Sequence, residues 1–318
     1  MPQWLFDRFS NEDPSLRPDF ALYGTTNWIR ALSILAQDEL SDEILENYYD
    51  AISPRTSGTE WENTVFQKLL MSLHNLASLE VMANTSEDQR YSVVRSAIIA
   101  WYYGVYTACG AMIAAQDGSS HETHAKTAQV WGSQIASTGK IPSPFNYVVT
   151  TLVKTDYEAE ISEMRAGNSH DINTVPTNTE QAKGALLAYL KGSAKWHREK
   201  AESEIMKSAD FRALGVTNFR TNSARSLRDS RLRNKSINLL HQAIRYRGKA
   251  NYRDSLYLSY GNDYTSRINT LVEDLHITLT WFLKAAWLFS AKRTQHETWG
   301  QFKQDLSNYS RLNVSFDI

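Results

Sequence analysis

The chain has 318 residues, of which 42% are hydrophobic and 22% are charged, with only 7 Pro and 14 Gly. This composition is ordinary for a globular protein with a sizeable core, and it excludes collagen-like and long disordered chains. The net charge is −1, and the single cysteine, Cys109, cannot form an internal disulfide, so we expect a reducing, cytoplasmic compartment.

The amino-terminal part of the chain is acidic, since the first 90 residues hold 15 Asp and Glu against 6 Lys and Arg. Asp7 interrupts the apolar residues near the start, so we expect no signal peptide. The capping-box pattern Thr59–Glu62 and helical apolar spacing over 65–83 predict a helix. Residues 1–89 are interpreted as an acidic helical extension, which either stands apart from residues 90–318 or packs with them as one domain.

The next segment, 90–116, is predicted to be a long helix with two distinct faces. Its uncharged run 97–115 is near the length of a membrane span, but Trp and Tyr lie mid-run, so we expect a buried core helix and no membrane contact. Cys109 lies on an apolar face of this helix, which indicates a buried and inert thiol. The residues on the opposite face are small. We therefore predict close approach of another helix at Ala97, Ala100, Gly104, Ala108, Ala111 and Ala115.

Further helices are predicted to the end of the chain. Capping-box patterns at Ser86–Gln89, Ser119–Glu122 and Thr177–Glu180 mark expected helix starts. Helical apolar spacing continues over 181–206, 236–258 and 266–293, and no segment alternates as a strand does. The predicted fold class is therefore all-α, a helical bundle.

Positive charge is concentrated in residues 211–253, which contain 11 Lys and Arg and one acid, Asp229. Such a block is typical of a protein that binds a polyanion. Within it, the run 219–235 supplies candidate phosphate contacts at Arg220, Arg225, Arg228, Arg231 and Arg233. The alternative is that the block pairs with the acidic amino-terminal part of the same chain or of a second copy.

The helix that closes the basic block is also predicted to have two faces. One face is basic and aromatic and suits phosphate contacts and base stacking: Arg245, Lys249, Tyr252 and Arg253, with Tyr246 at its edge. The other face places Arg247, Asn251 and Asp254 among apolar residues. Because an unpaired buried charge is costly, these three residues form either a structural polar network or a site in a groove between helices.

Two blocks of the sequence carry short motifs that occur in the same order in a known protein family. The first, 95–131, has a helix with a Tyr pair, then a Gly-containing turn and a Ser-His pair leading into the next helix. The residues that match it are Tyr102, Tyr103, Gly118, Ser120 and His121. The second block, 245–254, has an Arg-led helix running into an Ala-Asx-Tyr element, matched by Arg247, Ala250, Asn251 and Tyr252. Together the two blocks resemble the signature motifs of the HEPN superfamily. This resemblance implies a HEPN-like helical domain over 90–318, with 132–235 as a large insertion.

The resemblance implies a helical bundle that often dimerises and binds RNA or nucleotides. Some members are metal-independent endoribonucleases of toxin and defence systems, in which an Arg and a His on one helix carry the reaction. Here Tyr252 stands where that His is expected, and a Tyr with a pKa near 10 is a poor base at neutral pH. The implied catalytic residues are Arg247, Asn251, Tyr252 and His121. His124 is a second histidine that could enter the same groove.

Three functions are therefore weighed. The first is a HEPN-like protein that binds RNA or another polyanion, with metal-independent RNA cleavage left open and a homodimer as the expected assembly. The second is a non-catalytic adaptor or oligomerisation subunit whose basic block binds an acidic protein surface. The third is a nucleotide-sensing domain that uses only a few of the arginines. We expect no cofactor, and His121 and His124 lack the third ligand of a zinc site.

Overall fold

The computed structural model describes residues 18–251 and 265–312, together with Trp4 and Arg8. In these ranges the chain forms twelve α-helices and no β-strand, which confirms the all-α prediction. The helices are α1 (Pro18–Glu39), α2 (Asp42–Tyr49), α3 (Thr59–Ala83), α4 (Glu87–Asp117), α5 (His124–Trp131), α6 (Lys154–Arg165), α7 (Thr179–Met206), α8 (Ala209–Ala213), α9 (Asn222–Leu232), α10 (Leu239–Asn251), α11 (Thr265–Arg293) and α12 (His296–Tyr309).

Helix α4 is the centre of the bundle and packs along α3 and α11, with α10 and α5 on its remaining sides. Gly104 lies where α11 comes closest, since a Cβ added there would fall 2.5 Å from Cδ2 of Leu279. The alanines of the predicted small face are buried, and the predicted close approach is seen at Gly104. Although α4 is long and apolar enough to cross a bilayer, 83% of its most apolar window is buried in the protein. That burial is typical of a core helix.

The amino-terminal helices share the core of α4. Trp28 of α1 is fully buried, and its ring stacks on Tyr189 of α7 at a centroid distance of 4.6 Å. Val65 and Leu69 of α3 are also fully buried in this core. Helices α1 and α3 therefore belong to the same hydrophobic core as α4.

Acidic residues of the amino-terminal part pair with α11. Lys284 Nζ lies 2.6 Å from Asp42 Oδ1, and Lys292 Nζ lies 2.8 Å from Asp50 Oδ1. Both carboxylates are more than half exposed, so each pair contributes about 1 kcal/mol or less to stability. These two acids face α11 and not the basic block.

The predicted insertion builds a second, smaller core beside the first. Val149 and Ile237 exchange two backbone hydrogen bonds of 2.9 and 3.0 Å, which join the two ends of this region. Helix α7 belongs to both cores, because Leu186 packs in the first and Leu187 and Leu190 pack in the second. The two cores are thus joined by one long shared helix.

Candidate functional site

Two helices bring three tyrosines and a histidine together, which we call the Tyr–His cluster: Tyr102, Tyr103 and Tyr106 of α4 and His124 of α5. Tyr102 is fully buried, whereas 37% of Tyr103 is exposed. Tyr106 and His124 are half-buried. The cluster therefore leads from the core of the bundle to its surface, beside α10.

The start of α5 decides which histidine enters the cluster. The predicted start at Ser119–Glu122 is wrong, since α5 begins after Thr123, whose Oγ1 accepts a 3.3 Å hydrogen bond from the Lys126 amide. His124 is therefore the first residue of α5. The predicted starts of α3, α4 and α7 agree with the structure to within two residues.

Close contacts fix the His124 ring. Its Nδ1 lies 2.7 Å from Tyr102 Oη, and its ring centroid lies 4.5 Å from that of Tyr106. Tyr106 Oη donates a 3.3 Å hydrogen bond to the Glu122 carbonyl, just before α5. Tyr102 thus fixes the Nδ1 edge of the imidazole, and the Tyr106 ring packs against the imidazole ring.

Arg247 reaches the cluster from α10. Its guanidinium carbon lies 4.9 Å from the centroid of the Tyr102 ring, and its Nη1 donates a long, 3.4 Å hydrogen bond to Tyr103 Oη. Its Nε is buried and has no hydrogen-bond partner among the described residues. No described carboxylate lies within ion-pair distance of this half-buried cation. A partly desolvated guanidinium without a counter-charge favours an anion.

The electrostatics of the cluster set the protonation states at neutral pH. Burial, followed by the positive charge of Arg247, lowers the pKa of His124 below its ordinary value of 6.5. Burial raises the pKa of Tyr102 above 10, although Arg247 partly offsets the rise. His124 is therefore a neutral imidazole and Tyr102 a neutral phenol. When Nδ1–H donates to Tyr102 Oη, Nε2 of His124 presents a lone pair that can accept a proton.

His121, the histidine predicted from the sequence to be catalytic, has other contacts. Its Nε2 lies 3.3 Å from Ser119 Oγ, and its positive form would lie near Asp117. Its carbonyl accepts a 3.3 Å hydrogen bond from Thr127 Oγ1. The histidine that the structure brings to Tyr102 and Arg247 is His124, three residues further along the chain.

Several predicted catalytic and binding residues lie at or beyond the described end of α10. Asn251 is the last residue of that helix, and nothing is described of its side chain or of that of Lys249. Tyr252, Arg253 and Asp254 lie outside the described residues. Just before them, Arg95 Nε donates a 3.0 Å hydrogen bond to the Ala250 carbonyl, which ties the end of α10 to α4.

The basic, aromatic face predicted for α10 is partly wrong. Tyr246 is fully buried between Trp28 and Trp101, with ring centroids 5.1 and 5.6 Å away, so no base can stack on it. Arg245 instead extends over the ring of Trp196 on α7, at 5.1 Å. Because two residues turn an α-helix by about 200°, Arg245 and Arg247 lie on nearly opposite sides of α10.

The arginines of the run 219–235 do not form one continuous row of free charges. Arg228 Nε lies 2.8 Å from Asp229 and 3.7 Å from Glu202, and Arg231 pairs with Asp210. The remaining three are exposed: Arg220, Arg225 and Arg233. Arg225 Nη2 donates a 3.0 Å hydrogen bond to the Arg220 carbonyl. The acids that pair with this run come from α7, α8 and α9, not from the amino-terminal region.

The cluster and Arg247 together offer a proton acceptor and an anion-binding cation, with a buried phenol that orients the acceptor. Among the residues described, no group of three or more His, Cys, Asp or Glu side chains is placed to hold a metal ion. No family model matches the chain, and no curated protein and no solved structure is significantly similar to it.

Proposed function

We propose that this chain is a HEPN-like protein that binds RNA and cleaves it without a metal ion, at the groove formed by the Tyr–His cluster and Arg247. The observation that carries the proposal is the half-buried Arg247, which has no carboxylate partner among the described residues and lies against the ring of Tyr102. The neutral His124 bonded to the same Tyr102 supplies the second group that such a reaction requires.

In the proposed reaction, Nε2 of His124 accepts the proton of an RNA 2′-hydroxyl. The 2′-oxygen attacks the neighbouring phosphorus, the bond from phosphorus to the 5′-oxygen breaks, and the leaving oxygen takes a proton from water. The products are a 2′,3′-cyclic phosphate and a 5′-hydroxyl. Arg247 pairs with the phosphate oxygens as negative charge builds on them. Tyr102 is a positioning residue that holds Nδ1 of His124.

The proposed substrate is single-stranded RNA. Only RNA carries the 2′-hydroxyl that this reaction consumes, and unpaired bases leave that group accessible. Exposed arginines of the basic block supply part of the charge that attracts a polyanion: Arg220, Arg225 and Arg233. The homodimer and the cytoplasmic location implied at the sequence level stay predictions, and light scattering of the purified protein tests the first of them.

The test is incubation with labelled single-stranded RNA and with DNA of the same sequence, in the presence of EDTA. Wild type should cut the RNA alone and leave cyclic phosphate ends. His124→Asn and Arg247→Ala should each slow cutting by about 10²–10⁴-fold, as expected for a lost proton acceptor or charge contact. Tyr102→Phe should keep some activity but change its pH profile, because the imidazole loses its Nδ1 partner.

His121→Asn separates the two histidines of the α4–α5 turn. The geometry predicts that His121→Asn cuts RNA and that His124→Asn does not. The reverse result would show that the motif histidine carries the reaction and that the assignment of His124 is wrong. Binding without cutting would leave a recognition module. If the protein neither binds nor cuts RNA, the nucleic-acid proposal is refuted. The adaptor, whose basic residues meet an acidic protein, is then favoured.

A further inference from the structure

A cavity of about 790 Å³ lies on the other side of α10 from the Tyr–His cluster. Its walls come from the second half of α7, the first half of α10, the segment that joins α9 to α10, and Ala125 and Gln129 of α5. This volume falls within the range of about 300–1,000 Å³ that is usual for small-molecule sites. Of the side chains that carry the following argument, only Arg245 belongs to either HEPN-like block.

The rim of the cavity carries positive charge that nothing described neutralises. Lys200 and Arg245 both lie over the Trp196 ring, at 5.5 and 5.1 Å, and Lys235 is exposed beside them. None of these three cations has a carboxylate partner among the described residues. The other ions of the rim pair off, Arg231 with Asp210 and Glu204 with Lys207.

Two histidines lie in the wall with ring nitrogens that lack partners. The rings of His197 and His241 are 5.8 Å apart and nearly perpendicular. Nε2 of His197 and Nδ1 of His241 are buried and have no hydrogen-bond partner among the described residues. Buried polar atoms in native proteins are rarely left unbonded, so both nitrogens favour a polar partner that reaches into the wall of the cavity.

The charge around His197 selects the sign of that ligand. Burial, then the positive charges of His241, Arg245, Lys200 and Lys235, lower the pKa of His197 to about 4, and no acid opposes them. Burial lowers the pKa of His241 to about 4 as well. A field that repels a proton also repels a metal cation and attracts an anion. The imidazoles are neutral at pH 7, so each can donate or accept one hydrogen bond.

The rest of the lining shows what the anion is attached to. The floor is aliphatic and includes Leu152, Ile205, Ile237 and Ile244. A purely hydroxylated body such as a sugar phosphate would leave its hydroxyl groups unpaired against this floor. A flat heterocycle fits better, because its faces are apolar and its edge atoms can bond to His197 and His241.

We infer that this cavity binds a nucleoside phosphate, with the base between the aliphatic floor and the two histidines and the phosphate at Lys200, Lys235 and Arg245. A phosphomonoester carries close to two negative charges at pH 7, which suits three cations that have no carboxylate partner among the described residues. The site is separate from the groove at Arg247 and does not depend on RNA cleavage.

The test is calorimetric titration of the full chain with AMP, GMP, CMP and UMP, with their nucleosides and with inorganic phosphate. At least one mononucleotide should bind, and its nucleoside and inorganic phosphate should each bind at least about tenfold more weakly, since each lacks one half of the contacts. Binding of no mononucleotide, or equal binding of the nucleoside, would overturn the inference.

Variants place the ligand. Arg245→Gln should weaken binding by about tenfold, the usual cost of one charged hydrogen bond. Lys195→Gln is the matched control on α7, since Lys195 is largely exposed and lies outside the cavity, and it should bind as wild type does. Ala201→Phe should fill the cavity and abolish binding, while thermal unfolding shows that the variant is folded. Unchanged affinity in both Arg245→Gln and Ala201→Phe would refute the site, and loss of binding in Arg247→Ala would move the nucleotide to the RNA groove.

Discussion

Acidification is expected to destabilise the protein through His197 and His241. Burial lowers the pKa of both side chains to about 4 in the folded protein, against an ordinary value of 6.5. Between these values the unfolded chain binds protons that the folded protein excludes, so the free energy of unfolding falls as the pH falls. Above pH 6.5 both states are neutral and the effect vanishes, and near pH 4 it is complete.

The size of the effect follows from the pKa values. At pH 5 a histidine that titrates at 6.5 only in the unfolded chain costs about 2 kcal/mol, since one pH unit corresponds to about 1.4 kcal/mol. The two histidines contribute less than twice this amount, because His197 is only partly buried and each charge disfavours the other. We expect a combined loss of about 3 kcal/mol at pH 5, a large share of a typical stability of about 5–15 kcal/mol.

Urea unfolding followed by circular dichroism at pH 7, 6 and 5 measures this loss. Between pH 7 and 5, the free energy of unfolding should fall by about 3 kcal/mol less in the double variant His197→Asn and His241→Asn than in wild type. All other groups titrate alike in the two proteins, so this difference isolates the two histidines. His74→Asn, at an exposed position of α3, is the control and should follow wild type. A double variant whose stability falls as steeply as that of wild type would refute the reasoning.

Three further predictions concern the core and the proposed site. Gly104→Val should destabilise the protein by about 1–3 kcal/mol in urea unfolding, because the new side chain overlaps Leu279, and Leu279→Ala in the same chain should recover part of the loss. Cys109 should not react with a thiol reagent in the folded protein, since it is fully buried and burial raises its pKa, and rapid native labelling would contradict that placement. RNA cleavage should fall only as the pH drops below about 6.5, because the pKa of His124 lies below that value, and a rate that already falls between pH 8 and 7 would exclude His124 as the proton acceptor.

The sequence predicts the helical architecture and the packing of α4 well. Small residues recur every four positions along one face of α4, and that periodicity alone indicates the close contact at Gly104 that the structure has with Leu279. The burial of Cys109 follows from the apolar residues on the opposite face of α4. These features depend on spacing within one helix, which a sequence displays directly.

The candidate site is less predictable because it depends on competing local signals. Ser119 and Thr123 are both acceptable N-cap residues, and only the second caps α5, which brings His124 and not His121 to Tyr102. Tyr246 lies beside basic residues in the sequence, but α1 adds a third neighbour to α10 and buries it. A two-faced description of a helix fails when helices pack on three of its sides.

The cavity beyond α10 could not be predicted from the sequence. His197 and His241 are more than forty positions apart, and neither belongs to a recognisable motif. Their pairing depends on how α7 crosses α10, and that in turn depends on Trp28, which stacks on Tyr189 of α7 and meets Tyr246 of α10. Single residues such as Lys200 therefore gain a role only from the tertiary packing.

Helix α10 separates the groove at Arg247 from the cavity at Arg245. Tyr246, between Arg245 and Arg247, is fully buried against Trp28 and Trp101 and anchors the helix to the core. A ligand that displaces α10 from one side must alter the affinity of the other side by the same free energy, because thermodynamic linkage is reciprocal. The groove at Arg247 and the cavity at Arg245 thus share one short helix as their common wall.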